Sequence, residues 1–331
     1  MKAMLLAAGR STRLGALGQA LPKPLVPICG HPAIAFGLVA CARAGIRDVV
    51  VNVHHHADLI RATVGDGGRF GVRVAYSDEP ELLGTAGGVA RAAELLGPGP
   101  VLVMNAKVVA DVNLAAIIAA YETHAAAGAE VTLVVRDDPD ARLWGPIAAD
   151  ETGRVVGILD ATSSHTPAGA VVDRMFTGVQ IIGPRLREAL RPVFSDTVRD
   201  AYIPALRAGA DLRVFVHPGY FAEHSTPERY LAGNLTMLRA PSLIAHPPGP
   251  LTGVDPAARI APTARIIPPV RIEAGATIEA GATVGPDVVV GAAATVAANV
   301  TLTRTVLWPG TRATASLADA VITPEGAVTP V

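Results

Sequence analysis

The sequence predicts an α/β domain, a Rossmann-like and mostly parallel sheet with helices on its faces, followed by a left-handed parallel β-helix. Three observations predict it. Short β-rich runs alternate with helical patterns from the start to about Leu235, the mark of βαβ units. A Pro-rich link over 240–251 then breaks that pattern. Beyond it Val254, Ile260, Ile266, Ile272, Ile278, Val284, Val290, Val296 and Leu302 recur every six residues, with Gly, Ala, Pro and Thr between them. The boundaries that follow are residues 1–239 for the first domain, 240–253 for the link and 254–331 for the β-helix.

The first strand, from Ala3 to Leu6, runs directly into Leu6-Ala-Ala-Gly-Arg-Ser-Thr-Arg-Leu14. Small residues here let backbone N–H groups come close to a polyphosphate, so Leu6, Ala7, Ala8, Gly9, Arg10, Ser11 and Thr12 are candidate nucleotide-binding positions. Seven residues further on, Leu21-Pro-Lys-Pro-Leu25 adds Lys23. Arg13 can grip two phosphate oxygens with one guanidinium, while the ammonium of Lys23 acts as a point charge that can follow a transferring group.

Further strands are expected over 49–53, 72–76, 101–104 and 131–135, and helices over 32–44, 57–64 and 114–127, where apolar residues recur at helical spacing. Ligands of such folds sit beyond the carboxyl ends of the strands, where the loop at 7–14 and the segment 105–107 both fall. His54, His55 and His56 follow one strand, but consecutive side chains alternate in direction, so three in a row do not converge on one ion without a turn of the chain.

In the repeat region each hexapeptide forms one face of a triangular coil, so nine give three coils. All nine His lie at or before His246, which leaves the β-helix without the base that acyl transfer usually needs. A packing or oligomerisation module, joining copies of the chain or a protein partner, is the expected role.

Composition narrows the remaining classes. Half of the residues are hydrophobic and 17% are charged, ample for burial across two domains. The net charge is −1 and no Lys/Arg block occurs, so neither a nucleic-acid groove nor an anionic membrane surface is expected. No apolar run reaches membrane-spanning length. Two cysteines and no signal-like beginning point to a reducing cytoplasm. Of the 28 Lys and Arg residues only Lys2, Lys23 and Lys107 are Lys.

The loop at 6–14 with its Pro-Lys-Pro partner resembles the signature of the sugar-1-phosphate nucleotidyltransferases, which join a nucleoside triphosphate to a sugar 1-phosphate and release pyrophosphate. The resemblance extends along the chain. Glu81-Leu-Leu-Gly-Thr-Ala-Gly-Gly-Val89 is similar to a family segment lying against base and ribose, which implies nucleotide contacts at Gly84, Thr85, Gly87 and Gly88, with Asn105 further on. Trp144-Gly145, Asp160-Ala161 and Phe176-Thr-Gly-Val-Gln180 stand at the family's sugar-pocket segments, implying Gly145, Asp160, Thr177 and Gly178. The stretch 219–230 resembles the closing motif, and Val306-Leu-Trp-Pro-Gly310 resembles the closing repeat of long members.

The resemblance also implies Mg²⁺, held by an Asp of an Asn-Gly-Asp segment and by the Asp of the closing motif. Here those positions read Asn105-Ala-Lys107 and Phe221-Ala-Glu223, so Glu223 is the remaining candidate ligand and Lys107 joins Arg13 and Lys23 as a candidate catalytic cation. Asp111 is the one nearby carboxylate that could compensate. Three readings stand at Lys107: it substitutes for the ion, or the chain is a non-catalytic relative that binds a nucleotide or nucleotide sugar and signals to a partner, or the residue is an engineered substitution that traps a complex. Guanine with mannose is the first expectation for base and sugar, and uridine with a cell-wall amino sugar the second.

Overall fold

A computed structural model describes residues 1–326 and 328–330 of the chain; the expected β-helix runs to 331, and Ala327 and Val331 lie outside the described residues. The chain divides into two compact units, each assembled from three stretches. One comprises Met1–Gly9, Gly37–Ala106 and Val112–Phe221; the other comprises Arg10–Phe36, Lys107–Asp111 and Ala222–Val331.

The first unit is built on a ten-stranded sheet. At its centre Lys2–Leu6 lies between Asp48–Val53 and Val101–Asn105, parallel to both, and Arg73–Asp78 continues the parallel set. The long strand Val172–Ile182 reverses direction, pairing antiparallel with Val101–Asn105 and Val131–Arg136. Val49, Val50, Val51, Val101, Leu102 and Val103 are all buried, as expected for parallel strands covered on both faces. The register sets Leu6 opposite both Asn52 and Asn105, so three residues at the carboxyl ends share one edge of this unit. The expected helices and strands are found within one or two residues of their boundaries, including Leu114–Ala126, whose Asn113 caps it by accepting from the Ala116 N–H at 3.0 Å.

In the second unit the β-helix follows the sixfold pattern. Strands end at Val254, Ile260, Ile266, Ile272, Ile278, Val284, Val290 and Val296, and Leu302 falls in the longer strand Thr301–Leu307. Parallel rungs repeat eighteen residues apart, as in Gly253↔Arg271, Thr277↔Thr295 and Thr283↔Thr301. From Ile272 onward the aliphatic positions form a dry interior, with Val284, Val290, Val296 and Leu302 at 0% exposure. The last coil shortens: Val290 pairs with Leu307, seventeen residues on, which brings the closing repeat round.

That closing repeat is tied to the rest of its unit. Trp308 is fully buried and donates from Nε1 to the Tyr230 hydroxyl at 2.9 Å, and Tyr230 donates in turn to the Pro27 carbonyl at 2.6 Å. The helix Pro227–Arg239, which carries Tyr230, also presents Asn234 Oδ1 to the Cys29 N–H at 2.7 Å. Arg239 closes a two-pronged bond on Asp287. The early segment 27–32, the helix and the coil are therefore one packed body.

Candidate active site

The Arg10–Phe36 stretch begins with Ser11 in the left-handed region, φ 58°, ahead of the short turn Thr12–Leu14. Ser11 is buried, and its Oγ accepts the Lys23 N–H at 2.8 Å, which fastens the Pro-Lys-Pro turn to the loop. Arg13 remains exposed, with its guanidinium 3.7 Å from Glu223 Oε1. Lys107 lies in the tight turn between Val101–Asn105 and Val108–Ala110, and the latter strand pairs with Phe221–Glu223. That pairing sets Lys107 Nζ to donate to Glu223 Oε1, which also accepts from Ser225 Oγ.

Three cations thus gather round one carboxylate in the second unit. Burial alone would raise the Glu223 carboxyl, but the Lys107 ammonium, the hydrogen bonds from Lys107 and Ser225, and Arg13 outweigh it and hold the group down at about 2. Lys23 moves the other way. Burial first, then the charges of Lys107 and Arg13, lower its ammonium to about 8, with Glu223 opposing. Beside them His224 is fully buried and kept neutral, lowered by burial to about 4.

The donor set does not suit a magnesium ion. Glu223 Oε1 already accepts from an ammonium and a hydroxyl, and Asp111 accepts the Ala245 N–H at 2.9 Å. No group of three or more His, Cys, Asp or Glu placed to hold a metal occurs among the described residues. A dication about 5 Å from the Lys107 ammonium would be repelled by roughly 6–7 kcal/mol at an effective dielectric of about 20. The expected Mg²⁺ therefore has no fitting ligand set at these positions.

In the first unit the nucleotide-loop candidates divide. Gly9 is exposed, and a Cβ there would meet nothing within 4 Å, leaving open space for a close ligand. Ala7 donates its N–H to Asn52 Oδ1 at 2.8 Å, so that donor is already used. Asn52 Nδ2 donates to Glu79 Oε1, and Glu79 Oε2 accepts the Leu83 N–H, forming a buried brace between the first loop and the segment 81–89. Asn52 and Glu79 were not among the residues the sequence singled out, although an Asn within the Val-rich run 49–53 signals a buried polar contact.

Gly84, Gly87 and Gly88 lie close against other parts of the chain. A Cβ on Gly84, whose φ is +72°, would lie 2.4 Å from the Ser195 carbonyl oxygen, and one on Gly87 would lie 2.1 Å from that of Val193. Gly88 faces Glu79 and Asn52 in the same way. The Thr85 hydroxyl accepts the Thr197 N–H at 2.7 Å, and Thr177 donates to the Val134 carbonyl at 2.7 Å. Gly178 lies against Asn105, where a Cβ would meet Nδ2 at 2.2 Å. Gly145 packs on Leu159, and Asp160 is exposed. Leu6 is half-buried, Ala8 buried, and Arg10 and Thr12 exposed.

Comparison with known proteins places this arrangement. A family model described as Nucleotidyl transferase matches residues 2–160, and one described as Bacterial transferase hexapeptide (six repeats) matches 269–304. A mannose-1-phosphate guanylyltransferase of Mycobacterium tuberculosis is 30% identical over 250 residues, 74% of this chain and 67% of that protein.

The chain belongs to the sugar-1-phosphate nucleotidyltransferase family.

An N-acetylmuramate alpha-1-phosphate uridylyltransferase of Neisseria meningitidis is 44% identical over 117 residues, 35% of this chain and 51% of that one. The solved structure of HddC from Yersinia pseudotuberculosis shares the fold at 20% identity, with a TM-score of 0.58 over 70% of this chain and 97% of its own. In this chain the geometry joins Lys107 and Glu223 directly.

Proposed function

We propose that the chain is a sugar-1-phosphate nucleotidyltransferase, taking a nucleoside triphosphate and a sugar 1-phosphate to a nucleotide sugar and pyrophosphate. The observation that carries this reading is the gathering of Arg13, Lys23 and Lys107 around Glu223, a fixed excess of positive charge held in one unit. A phosphate oxygen of the sugar phosphate attacks the α-phosphorus, a new P–O bond forms, and the bond to the β-phosphate breaks. Arg13 and Lys23 would neutralise the triphosphate and the charge that builds on the leaving pyrophosphate. Arg10 and Thr12, exposed in the loop that carries Arg13, would offer backbone N–H groups to phosphate oxygens.

Guanine with mannose is the first choice of base and sugar, supported by the long alignment with the mycobacterial guanylyltransferase. Uridine with N-acetylmuramate is second, supported by higher identity over a shorter stretch. Mass-spectrometric detection of the nucleotide sugar, from each triphosphate with a panel of sugar 1-phosphates, tests the reading. Product from one pair supports it and names the substrates; none from any pair refutes transfer.

One observation favours a second reading. Lys107 and Glu223, which stand where the resemblance leads one to expect metal ligands, are closed on each other as an ion pair, which suits a relative that binds nucleotide or nucleotide sugar without turnover and acts through a partner. The opening coil of the β-helix leaves Val254, Ile260 and Ile267 exposed, at 43%, 37% and 36%, an apolar end suited to a second copy or a protein partner.

A further inference from the structure

The polyphosphate of a nucleotide normally reaches such enzymes with a divalent ion that cancels part of its charge. Lys107 is one of three Lys in a chain whose basic residues are otherwise all Arg, and it projects from a tight turn onto Glu223. A drifted surface cation would be exposed and unpartnered. Lys107 is 22% exposed and Glu223 17%.

The pair is also supported from both sides. Ser225 donates to the same oxygen of Glu223, and Arg13 approaches it at 3.7 Å. Lys23 lies close enough for the Lys107 and Arg13 charges to depress it. With all groups ionised, three cations and one carboxylate leave a net charge of +2. Asp111, the carboxylate that could have rebuilt a metal site, is bonded to the Ala245 backbone. Both carboxylates are engaged, Glu223 through Oε1 and Asp111 through Oδ1, while every cation in the cluster offers N–H donors to phosphate oxygens.

We propose that Lys107 occupies the role of the divalent ion and that this site takes the polyphosphate of a nucleotide in its metal-free form. The inference rests on the nucleotide-binding reading above and gives it a ligand state. A metal-free triphosphate carries about two more negative charges than its magnesium complex, and a cluster of net +2 recognises the difference. Lys107 leaves Glu223 Oε1 for a phosphate oxygen when ligand arrives, and Glu223 keeps Ser225 as its donor. Added Mg²⁺ then weakens binding, because it draws the phosphate oxygens away from the three cations.

Isothermal titration of the full chain with GTP and with UTP, in excess chelator and then in millimolar Mg²⁺, tests this. Binding in chelator tighter by about tenfold or more is the expected result. Lys107→Asp should reverse the preference and bind Mn²⁺, followed by its electron paramagnetic resonance, where the unaltered chain does not. Should Lys107→Asp not fold, Lys107→Gln, which adds no charge, should lose the advantage in chelator. Tighter binding of the magnesium complex by the unaltered chain, or an unchanged ratio in Lys107→Gln, overturns the inference while the nucleotide reading stands. No binding under either condition overturns the nucleotide reading, and this inference with it.

Discussion

Lys107 and Glu223 are 116 residues apart in sequence, and the ammonium of the first donates to the carboxylate of the second. The strand pairing of Val108–Ala110 with Phe221–Glu223 brings them together, so the contact is a product of the fold. Both residues are more than three-quarters buried, which makes the contact unlike an exposed ion pair.

Acid should therefore unfold the protein partly through Glu223. Its carboxyl is held near 2 in the folded chain, against 4.5 for the free group, so its stabilisation is complete above 4.5 and is lost as pH falls toward 2. The full shift is worth about 3 kcal/mol as an upper figure. Chemical denaturation at pH 7 and at pH 3 should show this loss in the unaltered chain and a smaller pH dependence in Glu223→Gln.

Lys23 should behave in the opposite sense. Its folded value of about 8 lies below the ordinary 10.5, so the charged form is a cost below pH 8 that is relieved as pH rises to 10.5. Lys23→Met should raise the melting temperature of the ligand-free protein at pH 7, with about 3 kcal/mol as the ceiling. The same variant should lose triphosphate affinity by at least about tenfold, as one charge-assisted phosphate contact implies.

The glycines separate fold from ligand. Gly87→Ala sets a methyl 2.1 Å from the Val193 carbonyl oxygen, a backbone atom that cannot swing aside, and should cost about 3 kcal/mol or more. Gly9→Ala meets nothing within 4 Å and should leave stability within about 0.5 kcal/mol while lowering triphosphate affinity. Thermal melts and titrations of both variants check the contrast.

Tyr230 is the joint of the second unit. Its hydroxyl donates to Pro27 and accepts from Trp308, so Tyr230→Phe strands a buried carbonyl and a buried indole N–H. A loss of about 2–4 kcal/mol is expected by chemical denaturation.

Much of this was legible in the sequence, and for physical reasons. From Ile272 to Leu302 each face of the coil turns its sixfold aliphatic residue inward, so the repeat that starts at Val254 announced the coil by spacing alone. The strand-to-loop passage at Leu6 was equally plain, since small residues directly after an apolar run leave backbone open. Contacts made at long range were not legible. Nothing local in the sequence says that Val193–Ser195 lies over Gly84 and Gly87. Nor does it say that the Thr85 and Thr177 hydroxyls bond to Thr197 and Val134. That segments 10–36 and 107–111 pack with the C-terminal stretch was likewise beyond any local pattern.

The most direct measurement is a crystal structure of the unaltered chain with a non-hydrolysable nucleoside triphosphate grown in chelator. Phosphate oxygens are expected within hydrogen-bond distance of Arg13, Lys23 and Lys107, with Lys107 released from Glu223. A nucleotide bound elsewhere, or bound with the Lys107–Glu223 pair still closed, would contradict it.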